Sequence, residues 1–146
     1  MPIGRERECA HLEALTGRVR AGASAAVVVT GEAGIGKTSM LEHVVTQAGG
    51  LRILRARGAE PEENLPFAGI AALARPILGY LDALPGRQRA ALAGALAVGP
   101  AVNADRFVIC AATLGLLSAA AAERPTLAVI DDGVTALRQL GLITKA

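Results

Sequence analysis

Aromatic side chains are nearly missing from this 146-residue chain: they make up 2%, with no tryptophan, one tyrosine and two phenylalanines. A core without large rings is built from Ala, Leu, Ile and Val, so its helices must approach closely to bury enough apolar area. Lysine is also scarce, since Lys37 and Lys145 are the only two among 15 basic residues. The two cysteines, Cys9 and Cys110, are too few for a disulfide framework and imply reduced thiols. Basic and acidic residues nearly cancel, leaving +2. The arginines are scattered rather than gathered into a basic stripe, which argues against a nucleic-acid surface. The longest uncharged stretches are residues 90–104, which contain Pro100 and Asn103, and 107–122, which Ala, Ser and Thr dilute. Both fall short of a bilayer span and are expected to be buried segments of a soluble domain. The first residues are charged and no apolar leader core follows, so a cytoplasmic location and no membrane role are expected.

What is present is a compact apolar chain. Hydrophobic residues are 52% and charged residues 19%, which excludes a disordered polar chain, and the length suits one domain. Cys9, Leu12, Leu15 and Val19 recur at helical spacing, and Ala21-Gly22 ends that helix. Ala25-Ala26-Val27-Val28-Val29 has the length and β-branching of a strand buried on both faces of a parallel sheet. Met40, Leu41, Val44, Val45 and Ala48 predict a helix stopped by Gly49-Gly50. A second strand is expected over 51–57 with Leu51, Ile53 and Leu54 inward, followed by a polar loop over 58–66. Pro66 starts a helix through Phe67, Ile70, Leu73 and Ala74 that Pro76 kinks or breaks, and a second piece carries Ile77, Leu78 and Leu81. An Ala/Leu helix over 87–97 closes at Gly99-Pro100. Asp105 caps a helix over 106–122, and Thr126 to Ile130 form a third short strand ending in Asp131-Asp132. Strands alternating with helices define an α/β class with a parallel sheet.

The chemistry is carried by Gly31-Glu32-Ala33-Gly34-Ile35-Gly36-Lys37-Thr38, which fits G-x-x-x-x-G-K-[ST] at every fixed position. The glycines let the backbone curl so that its N–H groups converge on phosphate oxygens, aided by the positive end of the following helix. Lys37 reaches the β- and γ-phosphates and the Thr38 hydroxyl ligates Mg²⁺. An apolar strand ending in acid places Asp131 where it would hold the same Mg²⁺, directly or through water. Asp132 is the candidate carboxylate for orienting the attacking water, and with Lys37 makes up the expected catalytic pair. The nucleotide contacts expected are Gly31, Glu32, Ala33, Gly34, Ile35, Gly36, Lys37, Thr38 and Ser39, with Arg5 added below. His11 and His43 lack a second ligand nearby and are set aside as surface or packing histidines. Arg52, Arg55 and Arg57 are expected on a solvated strand edge, and Cys110 as an inert core thiol.

With both motifs placed, the chain resembles the N-terminal ATPase module of large LuxR-type transcriptional regulators, a branch of the AAA-like and STAND-type signal-transduction ATPases. Ile3-Gly4-Arg5-Glu6-Arg7-Glu8 is similar to the family's leading Gly-Arg-Glu segment, which implies that Arg5 lies near the adenine. Residues 27–38 resemble its Walker A strand and loop. Leu54-Arg55-Ala56-Arg57-Gly58-Ala59-Glu60 and Leu65-Pro66-Phe67-Ala68-Gly69 resemble its second strand and the helix after, and are the specific part of the likeness. Asp105-Arg106-Phe107 and Glu123-Arg124-Pro125 flank the helix before Walker B. The resemblance covers residues 2–132, which are taken as the ATPase-like domain, with 133–146 as a divergent tail.

It implies a P-loop three-layer fold, ATP and Mg²⁺ as ligands, and strand order 5-1-4-3-2. The family follows its Asp pair with a segment such as Ala-His-Trp-Leu-Asp, whereas this chain has Gly133-Val134-Thr135-Ala136-Leu137. The sensor strand, helical lid, sensor domain and C-terminal helix-turn-helix are not found. The expectation is therefore a short, incomplete parallel sheet with an Ala/Leu-rich helical insertion. Residues 142–145 are the candidate to fill the fourth-strand gap. The expected activity is ATP–Mg²⁺ binding with weak hydrolysis at most. The rival is an inert fragment acting by association with itself or a full-length regulator, and DNA binding is not expected of this chain.

Overall fold

A computed structural model describes residues 2–57 and 67–131. Helix α1 (Glu6–Arg20) carries Glu6 and Glu8 in its first turn and Arg18 and Arg20 in its last, the arrangement that complements the helix dipole. It packs on α2 (Lys37–Gln47), with Cys9 and Thr16 buried on one helix and Met40 and Val44 on the other. Arg20 donates to the carbonyls of Gln47 (2.6 Å) and Gly49 (3.0 Å), so α1 closes the end of α2. His43 meets Glu13 at 2.7 Å across the same interface, which makes it a packing histidine.

Strand β1 (Arg52–Arg57) pairs in parallel with β2 (Thr126–Asp131), in register from Arg52 against Thr126 to Arg57 against Asp131. Between them run α3 (Ala68–Ala74), a 3₁₀ segment (Arg75–Ala83), α4 (Gly86–Ala95) and α5 (Arg106–Glu123). Leu54 and Ala56 of β1 turn into a core with Ile70, Leu73, Ile77, Leu92, Ile109 and Leu116. Ala74, Ala91, Ala112 and Ala120 are buried among them, the close helix approach that a ring-poor composition requires. In α5 the buried positions Ile109, Ala112, Leu116 and Ala120 share one face. That helix also has the length and composition of a membrane-crossing segment. The Asp105 carboxylate accepts from the Phe107 N–H at 2.9 Å and caps α5 as expected.

Several expectations are corrected. Residues 25–29 form no strand, and Val27 and Val28 are 47% and 56% exposed. The described sheet has two strands, the second and third of the expected order, which are neighbours there as implied. The physical reason is pairing: a strand flanked by the fourth and fifth finds no partner among the described residues, and a lone strand is not stable in water. Ile53 is half-buried rather than inward, because its position in the pleat turns it from the face that holds Leu54. At Pro76 the expectation holds: α3 stops at Ala74, and the second piece, Arg75–Ala83, winds as a 3₁₀ helix. Cys110 is half-buried rather than a core thiol. The loop 58–66 and the tail, with the 142–145 strand candidate, lie outside the described residues.

Helix α4 ends before Gly99-Pro100. Val98 N–H bonds Ala93 O (2.9 Å) and Ala97 N–H bonds Gly94 O (3.2 Å), with Ala97 left-handed at φ 56°. This is a Schellman stop. The returning chain then lies on Gly94, where a Cβ would sit 2.9 Å from Pro100 O and 3.2 Å from Val102 N. Gly94→Ala is therefore expected to destabilise the fold by about 1–2 kcal/mol in urea melts, although alanine is the better helix former. An unchanged or raised midpoint would show that residues 100–102 yield freely.

Arg52 is not at a solvated edge. Its guanidinium lies 5.0 Å from the Tyr80 ring centroid and donates to the Tyr80 hydroxyl at 2.8 Å. That hydroxyl donates on to Glu123, joining β1, the 3₁₀ segment and the end of α5. The Nη1 of Arg52 is buried without a hydrogen-bond partner among the described residues, and the ring face offsets part of that cost.

Candidate functional site

The phosphate loop leads directly into α2. Gly34 and Gly36 hold φ of 79° and 89°, a conformation that side chains resist and that turns the loop back on itself. Gly36 is the N-cap of α2, and no side chain caps this helix. The first ladder bond runs from Met40 N–H to Gly36 O at 3.1 Å. The N–H groups of Lys37, Thr38 and Ser39 thus precede the ladder, an array that suits an anion. Lys37 Nζ donates to the carbonyls of Gly31 (2.9 Å) and Glu32 (2.7 Å), spanning the loop from inside. Glu32, Ala33 and Gly34 are exposed along its crest, and Ser39 is exposed on α2.

The second motif reaches the first through the sheet. Asp131 ends β2, and its Oδ1 accepts from Thr38 Oγ1 at 3.3 Å. Its Oδ2 lies 3.6 Å from Arg57 Nη2 at the end of β1. The structure therefore brings together Thr38 and Asp131, 93 positions apart in sequence. Asp132 lies outside the described residues. Arg55 is bound bidentately to Glu42 of α2 (2.7 and 3.1 Å), so Arg55 and Arg57 are engaged within the chain.

Beside the loop is a cavity of about 420 Å³, within the range of small-molecule sites. Arg5 lines it together with Val27, Val28, Val29, Thr30, Ile35, Lys37 and Met40. Arg7, Glu8, His11 and Leu12 of α1 complete the wall. Sequence reasoning singled out Arg5 and the loop but not Arg7, His11 or Leu12. The available signal was their spacing, since 7, 8, 11 and 12 share one helix face. Arg5 pairs with Glu8 at 3.2 Å. The Glu8 carboxyl is held below the usual carboxylate range, first by a backbone N–H and then by Arg5.

A hydroxyl and a carboxylate oxygen side by side are hard donors. Mg²⁺ commonly binds through one or two such groups plus substrate phosphates. Among the described residues there is no cluster of three His, Cys, Asp or Glu that would favour a softer or all-protein metal site. The donor set thus fits Mg²⁺ held jointly with a nucleotide.

A parallel strand pair, a glycine-rich loop opening a helix and an acid at the end of a strand beside it describe an α/β nucleotide-binding domain. The chain belongs to the AAA ATPase domain family, whose profile matches residues 2–137. No curated protein and no solved structure matches the chain. Membership implies nucleotide binding and, usually, the use of Mg²⁺.

Proposed function

We propose that this chain is the ATP–Mg²⁺ binding module of a regulatory ATPase of the LuxR type. The observation that carries the reading is the Thr38–Asp131 contact, which unites the two motifs across 93 positions of sequence. The loop N–H groups and Lys37 would bind the phosphates, with Lys37 exchanging two loop carbonyls for phosphate oxygens. Thr38 and Asp131 would hold Mg²⁺, which supplies charge neutralisation at the β- and γ-phosphates. The cavity walled by Arg5, Val28, His11 and Met40 would take the nucleoside end. Asp132 is the residue proposed to orient water. The regulatory context rests on the Leu-Arg-Ala-Arg-Gly and Leu-Pro-Phe-Ala-Gly segments. A role without DNA contact is supported by the hydrogen bonds of Arg52 and Arg55 to partners inside the chain.

The test is calorimetric titration of ATP into the purified chain, with Mg²⁺ and with EDTA. Binding that strengthens with Mg²⁺ is expected, and Thr38→Ala is expected to reduce that gain about tenfold. A folded wild-type chain that does not bind Mg²⁺·ATP overturns the reading. One observation favours the second reading, association with another copy or a full-length regulator. It is the exposure of Val27 and Val28 in a segment without a sheet partner among the described residues. That reading predicts concentration-dependent mass in sedimentation without nucleotide binding.

A further inference from the structure

We propose that Arg57 is an internal counter-ion of Asp131, a positioning residue that raises how much Mg²⁺ the site requires. The inference rests on the ATP–Mg²⁺ reading above and deepens it.

The pairing is built into the backbone. Arg57 and Asp131 are register partners on adjacent parallel strands. Partners in such a ladder project from the same face with the strands about 4.8 Å apart, which keeps the guanidinium within reach of the carboxylate. The contacts to Thr38 and Arg57 fall on different oxygens of Asp131. Oδ1 faces Thr38 Oγ1 at 3.3 Å, and Oδ2 faces Arg57 Nη2 at 3.6 Å. Side-chain exposure is unequal, 17% for Asp131 and 70% for Arg57. The anion is held in place, while the cation is tethered in solvent and leaves at little cost. Arg55 is on the same face two residues earlier, but Glu42 holds both of its terminal nitrogens.

A guanidinium and a divalent cation compete for one carboxylate, because each neutralises the charge that attracts the other. Arg57 therefore sits on the Oδ2 side of Asp131, while Thr38 meets Oδ1, and offsets the charge that would attract Mg²⁺. Mg²⁺ binding at Asp131 would then need a higher magnesium concentration than it would without Arg57.

The experiment uses the full chain with a fluorescent ATP analogue and buffered free Mg²⁺, reading the concentration at half-saturation. Arg57→Ala is expected to lower that midpoint about two- to fivefold, the range that an exposed ion pair commands. Arg57→Lys is expected to restore it close to wild type. Arg55→Ala removes the same charge from the same strand and is expected to leave the midpoint within experimental scatter. Circular dichroism of each variant confirms the fold. An unchanged or raised midpoint in Arg57→Ala overturns the proposal, and so does an equal shift in Arg55→Ala, which would indicate a general field effect. A wild-type chain with no magnesium-dependent signal defeats the ATP–Mg²⁺ reading itself, and shows it before any variant is compared.

Discussion

Lys37→Ala is expected to weaken ATP binding about 10- to 150-fold while leaving the circular dichroism spectrum unchanged. The range follows from losing charge-assisted hydrogen bonds worth about 1.5–3 kcal/mol. Lys37 is the only lysine in the first 144 residues, so no neighbouring lysine replaces it there. Its Nζ already lies inside the loop, 2.9 Å from Gly31 O and 2.7 Å from Glu32 O, and both bonds disappear with it. Those contacts are exposed, so their loss costs the fold little. Calorimetry against wild type measures the effect. Equal affinity in the variant would place the phosphates elsewhere on the chain.

The largest stability effect is expected at Leu54. It is completely buried in β1, at the centre of the cluster formed by α3, α4 and α5. Leu54→Ala removes three side-chain carbons, and the surrounding structure closes only part of the space. The expected loss is about 2–5 kcal/mol in urea denaturation. For a domain whose total stability is typically about 5–15 kcal/mol, that is a large share. The consequence extends to the site. The β1–β2 pair carries Asp131 to Thr38, so loosening β1 is expected to weaken magnesium-dependent binding near the lowered melting point. A loss below about 1 kcal/mol would show that the neighbouring side chains collapse into the vacated volume.

Much of the local structure was legible in the residues. The glycine spacing and Lys37-Thr38 located the loop, and the structure places Gly34 and Gly36 in the left-handed region. Asp105 announced the start of α5, and its carboxylate takes the expected N–H. The runs at 51–57 and 126–130 became the two paired strands. Such signals act within a few residues, through glycine freedom, side-chain caps and apolar spacing, so they survive whatever the rest of the chain does. Arg57 gave no comparable signal. It is solvent-exposed as expected, and only the ladder reveals the acid opposite it.

Composition and local pattern thus determined the α/β class, the helix positions and the phosphate loop. Tertiary structure alone decided which elements meet. Residues 25–29 carry every local mark of a strand, yet stay outside the sheet, because β-structure needs a partner and strand propensity cannot provide one. The joining of Thr38 to Asp131 was likewise decided by the parallel register of β1 and β2 and by the packing of α2 beside them. Contacts between residues 93 positions apart depend on the whole core, and no neighbouring residue in the sequence encodes them.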